Sequence, residues 1–261
     1  MKSRVRHQVS WLFVVALLVP QGASALVMTD NTLSISNIQI SPTATIDPTF
    51  SSDFAGATAQ NSLGEQAGPF DFSVPAQAKA SVTWAEGQGN ADAVNLTAHA
   101  NSSVILPGFR NDANSIGLGE LIFSFTVTGG SGPVAVTVSM QIDGSQNAFA
   151  DIAGIVTRNE IVATLRLLVD PLADPGVDDP LLFYDNIISG GPDFTQASTV
   201  STTLSKTVTL TYGTTYLVIV DADAESIAQN IPAPATFVLL LGGLGLMCGQ
   251  RSITRRNGRI Q

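Results

Sequence analysis

Hydrophobic and polar residues alternate along most of this chain with a period of two, the spacing that sends successive side chains to opposite faces of a β-strand. Over residues 121–128, Leu121, Phe123, Phe125 and Val127 share one face while Ser124, Thr126 and Thr128 share the other. Gly129-Gly130-Ser131-Gly132-Pro133 then turns the chain, and Val134, Val136, Val138, Met140 and Ile142 repeat the pattern. Two half-buried strands joined by five turn residues predict a hairpin with one face on a core and one in water. The same rule predicts a second hairpin, with Ala80, Val82 and Trp84 on one arm, a loop over 87–90, and Val94, Leu96, Ala98 and Ala100 on the other.

Further strands are predicted over 161–169 and 181–188, and again where Val208, Leu210 and Tyr212 oppose Thr207, Thr209 and Thr211 before a turn at Gly213 leads into 216–220. Between 41 and 78 the alternation weakens into Ser, Thr, Ala, Gly and Pro around Phe50, Phe54, Phe70 and Phe72, which predicts an ordered excursion with a strand or two. No long stretch of the body holds a helical period. Short strands separated by Gly, Pro, Asn and Asp predict an all-β domain, an antiparallel β-sandwich, with a jelly-roll order as one variant. The absence of a fixed repeat argues against a solenoid or propeller.

Two apolar runs stand outside this pattern. At the N-terminus, Lys2, Arg4 and Arg6 precede an apolar stretch over 9–19, and Ala23-Ser24-Ala25 follows. A basic start, an apolar core and small residues at the cleavage positions make a secretory signal peptide, cut after Ala25. The run is well short of the ~20 residues that cross a bilayer. At the other end, Pro232-Ala233-Pro234-Ala235-Thr236 is followed by an apolar run over 237–248 and then by Arg251, Arg255, Arg256 and Arg259. Such a segment sits at the lower limit for a span, and arginines after it resist translocation. The predicted organisation is therefore a signal helix in 1–25, a β-sandwich body in 26–228, and a tail in 229–261 with a short transmembrane helix and a basic stop. The body lies outside the membrane and the arginines inside.

The tail resembles the PEP-CTERM sorting signal of bacteria that make exopolysaccharide, in which a Pro-Glu-Pro motif precedes a short apolar helix and an Arg-rich end. Pro232, Pro234, Ala235 and Thr236 match, and Ala233 stands where that family usually has Glu. The resemblance implies an exosortase-type processing enzyme as partner, besides signal peptidase. It also implies transient anchoring in the inner membrane of a Gram-negative-type bacterium, then delivery to the cell surface or the extracellular matrix of a biofilm. The body is similar in texture to choice-of-anchor domains, through its strands and the closing run from Leu204 to Gly213.

Charge and composition narrow the chemistry. All twenty-one acidic residues lie in the body against five bases, Lys79, Arg110, Arg158, Arg166 and Lys206, so it carries a formal −16 where the whole chain shows −9. Such a surface repels nucleic acid and anionic lipid. The one cysteine, Cys248, falls in the tail, so the body is expected to fold without a disulfide. It also holds a single histidine, His99, read as an exposed strand residue, and no Gly-x-Ser-x-Gly elbow, zinc ligand set or phosphate loop. No catalytic residue and no cofactor are expected.

Two acidic clusters offer hard oxygen ligands for Ca²⁺. One is Asp170, Asp174, Asp178 and Asp179 in a Pro-rich connection, with Asp185 beyond it; the other is Asp221, Asp223 and Glu225, on one face of a strand end. The stretch 221–229 is expected to lead out of the domain through a short linker. Three classes of function stay open: a noncatalytic surface or matrix protein that binds exopolysaccharide or other surface proteins, a calcium-stabilised adhesin, and a secreted glycan hydrolase built on paired carboxylates.

Overall fold

The computed structural model describes residues 26–41, 44–106, 111–151, 155–168, 180–192 and 194–230, with the backbone alone over 44–50. The signal peptide with Ala23 and Ala25, the sorting motif and its arginines, and the loop acids Asp170, Asp174, Asp178 and Asp179 lie outside the described residues.

The described chain is all-β and forms two antiparallel sheets, consistent with a sandwich. Its strands are β1 (Val27–Ser41), β2 (Ala44–Asn61), β3 (Gln66–Ala67), β4 (Phe70–Asp71), β5 (Ala76–Val82), β6 (Ala85–Asp92), β7 (Thr97–Leu106), β8 (Ala113–Val127), β9 (Pro133–Ala150), β10 (Ile155–Leu168), β11 (Leu182–Gly190), β12 (Gln196–Thr211) and β13 (Thr215–Asn230). One sheet runs β12-β9-β1-β7-β6-β5 and the other β11-β10-β13-β8-β2-β3, with β4 also paired to β2. Strand stacks on strand: β9 lies against β10 and β11, β1 against β10 and β13, β7 against β8 and β13, and β5 and β6 against β2. That near-parallel stacking is the aligned mode of sheet packing.

Alternation builds the core as the sequence predicts. Leu121, Phe123, Phe125 and Val127 of β8 meet Val136, Val138, Met140 and Ile142 of β9 in one buried cluster with Leu33, Ile35, Ile161, Leu165, Val218 and Val220. Each large side chain buried in this way contributes roughly 1.5–3 kcal/mol. The strands that supply it are not paired as expected, however. β8 belongs to the seven-stranded sheet and β9 to the six-stranded one, so the glycine-rich turn at 129–133 carries the chain across the core instead of closing a hairpin. Period two reports which face is buried, and both arms of a crossover bury the same side.

The second predicted hairpin is corrected too. Residues 87–90 are the middle of β6, and the tight turn lies at Thr83-Trp84, where Trp84 adopts φ 77°. Gly87 and Gly89 are glycines because of a close approach across the sandwich. A Cβ on Gly89 would fall on the Leu118 carbonyl and within 2.6 Å of the Gly56 carbonyl, and Gly117 and Gly119 of β8 meet β6 and β7 in return. Around this contact the core is alanine: Ala55, Ala57, Ala78, Ala80, Ala91, Ala98 and Ala100 are all buried. The sandwich is thick where Leu, Ile and Phe fill it and thin here.

A third feature of the interior is a polar layer between the sheets. Ser102 and Ser226 are 3.0 Å apart, Ser226 donates to Asn159 Oδ1 at 3.1 Å, and Thr29 bonds the same oxygen. Asn159 Nδ2 in turn donates to the backbone carbonyls of Asp30, at 3.1 Å, and Asn147. These residues sit at inward positions of their strands, so each costs stability unless its partners are in place.

Candidate functional site

β13 does not end at Asp221, and 221–229 is no linker. The strand runs to Asn230 in the middle of its sheet, between β8 and β10. Asp221, Asp223 and Glu225 share a face as expected, but it is the outer face of a central strand and not a solvated strand end. Their neighbours come from cross-strand register: Asp221 lies opposite Thr164 on β10 and Glu120 on β8, and Asp223 lies opposite Val162 and Leu118. One step further, Thr164 faces Phe183 of β11 and Glu120 faces Phe54 of β2. The row Phe183, Thr164, Asp221, Glu120, Phe54 therefore crosses five strands, roughly 19 Å at the usual strand spacing.

At its centre, Asp221 is buried and accepts hydrogen bonds of 2.6 Å from Thr164 Oγ1 and Arg166 Nη2. Arg166 is the one cation against three carboxylates, and its own pKa is raised chiefly by the bond to Asp221. Glu120 is pushed up to about 7, first by burial and then by its hydrogen bond to Asp221 and that group's charge. Asp223 rises to about 6, again through burial first and the charge of Asp221 second. Burial and the charge of Asp221 thus favour the neutral form of Glu120, which stays partly protonated at neutral pH. The groups line an open pocket of about 450 Å³ with Leu118, Thr164, Arg166 and Pro180.

The β2 side of this face is aromatic. Phe54 stacks on Phe70 with ring centroids 5.7 Å apart and meets Phe72 at 5.0 Å. Phe70 and Phe72 stay 61% and 75% exposed, too much for rings that serve only the core. Gly56 makes room for them, since a Cβ there would touch the Phe70 ring at 3.2 Å. Asp71 fixes the segment: its carboxylate accepts from the backbone of Ser73 at 3.0 Å and of Gln77 at 2.8 Å, and from Ser73 Oγ at 2.7 Å. Those bonds, led by the one from Gln77, hold its pKa down at about 2.

Glu225 turns away from the pocket group toward Arg158, 3.9 Å away. Asp185, the one member of the loop cluster on a described strand, lies on β11 opposite Val162. His99 is half-buried on β7, between Ser34 and Asn90. Among the described residues no set of three or more His, Cys, Asp or Glu is arranged to hold a metal ion. Sequence reasoning missed Glu120, Thr164, Arg166 and the link to Phe54. The one available signal was Glu120 itself, a charge at an outward position in the apolar run of β8. Compared with protein-family models, with curated proteins and with solved structures, the chain matches none.

Proposed function

We propose that this chain is an exported, noncatalytic protein of the cell surface or extracellular matrix, delivered by its PEP-CTERM-like tail and holding exopolysaccharide on the outer face of the seven-stranded sheet. The observation that carries the reading is the position of the two ends of the body. β1 starts two residues after Ala25, and β13 ends two residues before Pro232. Val27 pairs with Ala150 and Asn230 with Ile155, and only residues 151–154 separate those two partners, so both ends leave the sandwich on the same side. A body held briefly by its tail would then keep one end toward the membrane, with the motif next to it and in reach of a processing enzyme. The signal helix and the tail helix belong to this proposal.

Exposed rings beside carboxylates suit a sugar polymer, because the rings cover apolar ring faces and the carboxylates accept hydroxyl hydrogen bonds. The excess of acid favours a neutral or amine-bearing polymer over an acidic one.

Deleting the processing enzyme tests the sorting half: full-length protein should accumulate in the inner membrane, and unchanged release would overturn it. Neutral residues in place of Arg251, Arg255, Arg256 and Arg259 should weaken retention and lower processing. For the binding half, the Phe70→Ala/Phe72→Ala variant should lose most of its retention on polysaccharide from the producing cells. Wild-type retention in that variant would move the ligand elsewhere.

A further inference from the structure

β12 is a 16-residue strand at the open edge of the six-stranded sheet, and among the described residues it pairs with β9 alone. The register is unbroken from Gln196 opposite Ala148 to Thr211 opposite Pro133. Proteins blunt such edges with prolines, bulges or charges, because a row of open N–H and C=O groups templates another strand. β12 has no proline and no bulge, and Lys206 is its only charge. It contains no acid, although the body carries −16. Two such bodies can approach along this edge without setting one strand's acids against the other's.

Which backbone groups are open follows from two hydrogen bonds just past the ladder. Tyr212 N–H donates to the Gly132 carbonyl at 3.0 Å, one step further in the same register, so even-numbered residues bond to β9. Thr211 N–H points away from β9 and donates to the Tyr216 hydroxyl at 2.8 Å. The odd-numbered residues from Ala197 to Thr209 therefore present their N–H and C=O groups to the open edge.

We propose that β12 pairs with β12 of a second copy across a two-fold axis, antiparallel and centred on Leu204. In such a pair odd residues must oppose odd ones, so the axis passes through a residue, and Thr203 and Leu204 are the central choices. Only Leu204 makes the side chains match. It sets Leu204 against Leu204 of the second copy and Val200 against Val208, all three half-buried on the core and open toward the edge. On the outer face it sets Thr203 against Ser205, Ser201 against Thr207 and Thr199 against Thr209. Centring on Thr203 would instead put Lys206 against Val200 and Leu204 against Thr202. The run from Thr199 to Thr209 reads nearly the same in both directions in side-chain character, as a self-complementary isologous contact requires.

The test uses single cysteines in the full-length chain with Cys248→Ser. In the proposed register Leu204→Cys faces its own copy as a non-hydrogen-bonded pair, with Cα atoms ~4.5 Å apart and within disulfide range. Thr202→Cys, on the same face, is displaced from its copy by four residues, roughly 13 Å, and out of range. Mild oxidation should convert most of the Leu204→Cys protein to a covalent dimer and at least about tenfold less of the Thr202→Cys protein. Thr203→Pro deletes an N–H that β9 does not use, so it should keep the wild-type far-UV circular dichroism while turning the dimer into a monomer by sedimentation in detergent. A wild-type chain that sediments as a monomer, or equal cross-linking of the two cysteines, would overturn the proposal; a monomer that binds a strand of another protein falls under the first outcome.

Discussion

Glu120→Gln isolates the electrostatic cost of the outer-face pocket. In the folded protein the Glu120 carboxyl sits at about 7 against 4.5 for a free glutamate, so the native state binds more protons than the unfolded state through that interval. Stability contributed by this group is therefore complete below about pH 4.5 and is lost as pH rises toward 7. The interval corresponds to about 3 kcal/mol at 1.36 kcal/mol per unit, taken as an upper figure because the pocket is open to water. Glutamine cannot ionise and keeps a donor for Asp221. At pH 5 the variant should match wild type, and at pH 8 it should be more stable by about 2 kcal/mol, or roughly 4–8 °C in melting temperature for a body of this size. Measuring both proteins at both pH values cancels the other carboxylates. A variant that is equally stable at pH 8, or less stable there than at pH 5 by as much as wild type, would refute the raised Glu120 pKa.

The thin end of the sandwich makes a second expectation. Gly89→Ala drives a methyl into backbone that no rotamer change can relieve, and should cost about 3 kcal/mol in urea unfolding, whereas Gly64→Ala, strained at φ 85° but in open space, should cost about 1 kcal/mol. Asn159→Ala strips partners from Thr29, Ser226 and two carbonyls and should cost about 3 kcal/mol by the same assay, with reductant having no effect on either protein. Mass spectrometry of the exported form should find Leu26 as its first residue, and a peptide retaining residues 9–19 would contradict the cleavage site. If Asp170, Asp174, Asp178 and Asp179 hold Ca²⁺, a chelator should lower the melting temperature, and an unchanged value removes that role.

Strand faces were legible in the sequence because the period of two is a local property. Leu121, Phe123, Phe125 and Val127 had to be buried together, and so did Val136, Val138 and Met140, whatever sheet received them. Sheet membership was not local: the same alternation serves a hairpin and a crossover, which is why the turn at 129–133 was predicted to close a pair that it separates. Gly87 and Gly89 looked like a loop because their purpose, admitting the β8 backbone, exists only once the other sheet is present. Inward polar residues such as Asn159 and Ser226 weakened the apparent pattern, since partners more than sixty residues apart supply what makes them tolerable.

The site divides in the same way. The export route proposed for this chain is read from order, length and charge at its two ends, properties that need no folding. Asp221 and Asp223 were visible as acids on one face, but the raised pKa of Asp223 was not, because it depends on burial and on neighbours from other strands. Glu120, Arg166 and Phe54 come from three other strands, and only the register of β2, β8, β13 and β10 sets them side by side. Composition and periodicity specify what each strand buries; long-range pairing, which the sequence does not encode locally, decides which residues meet.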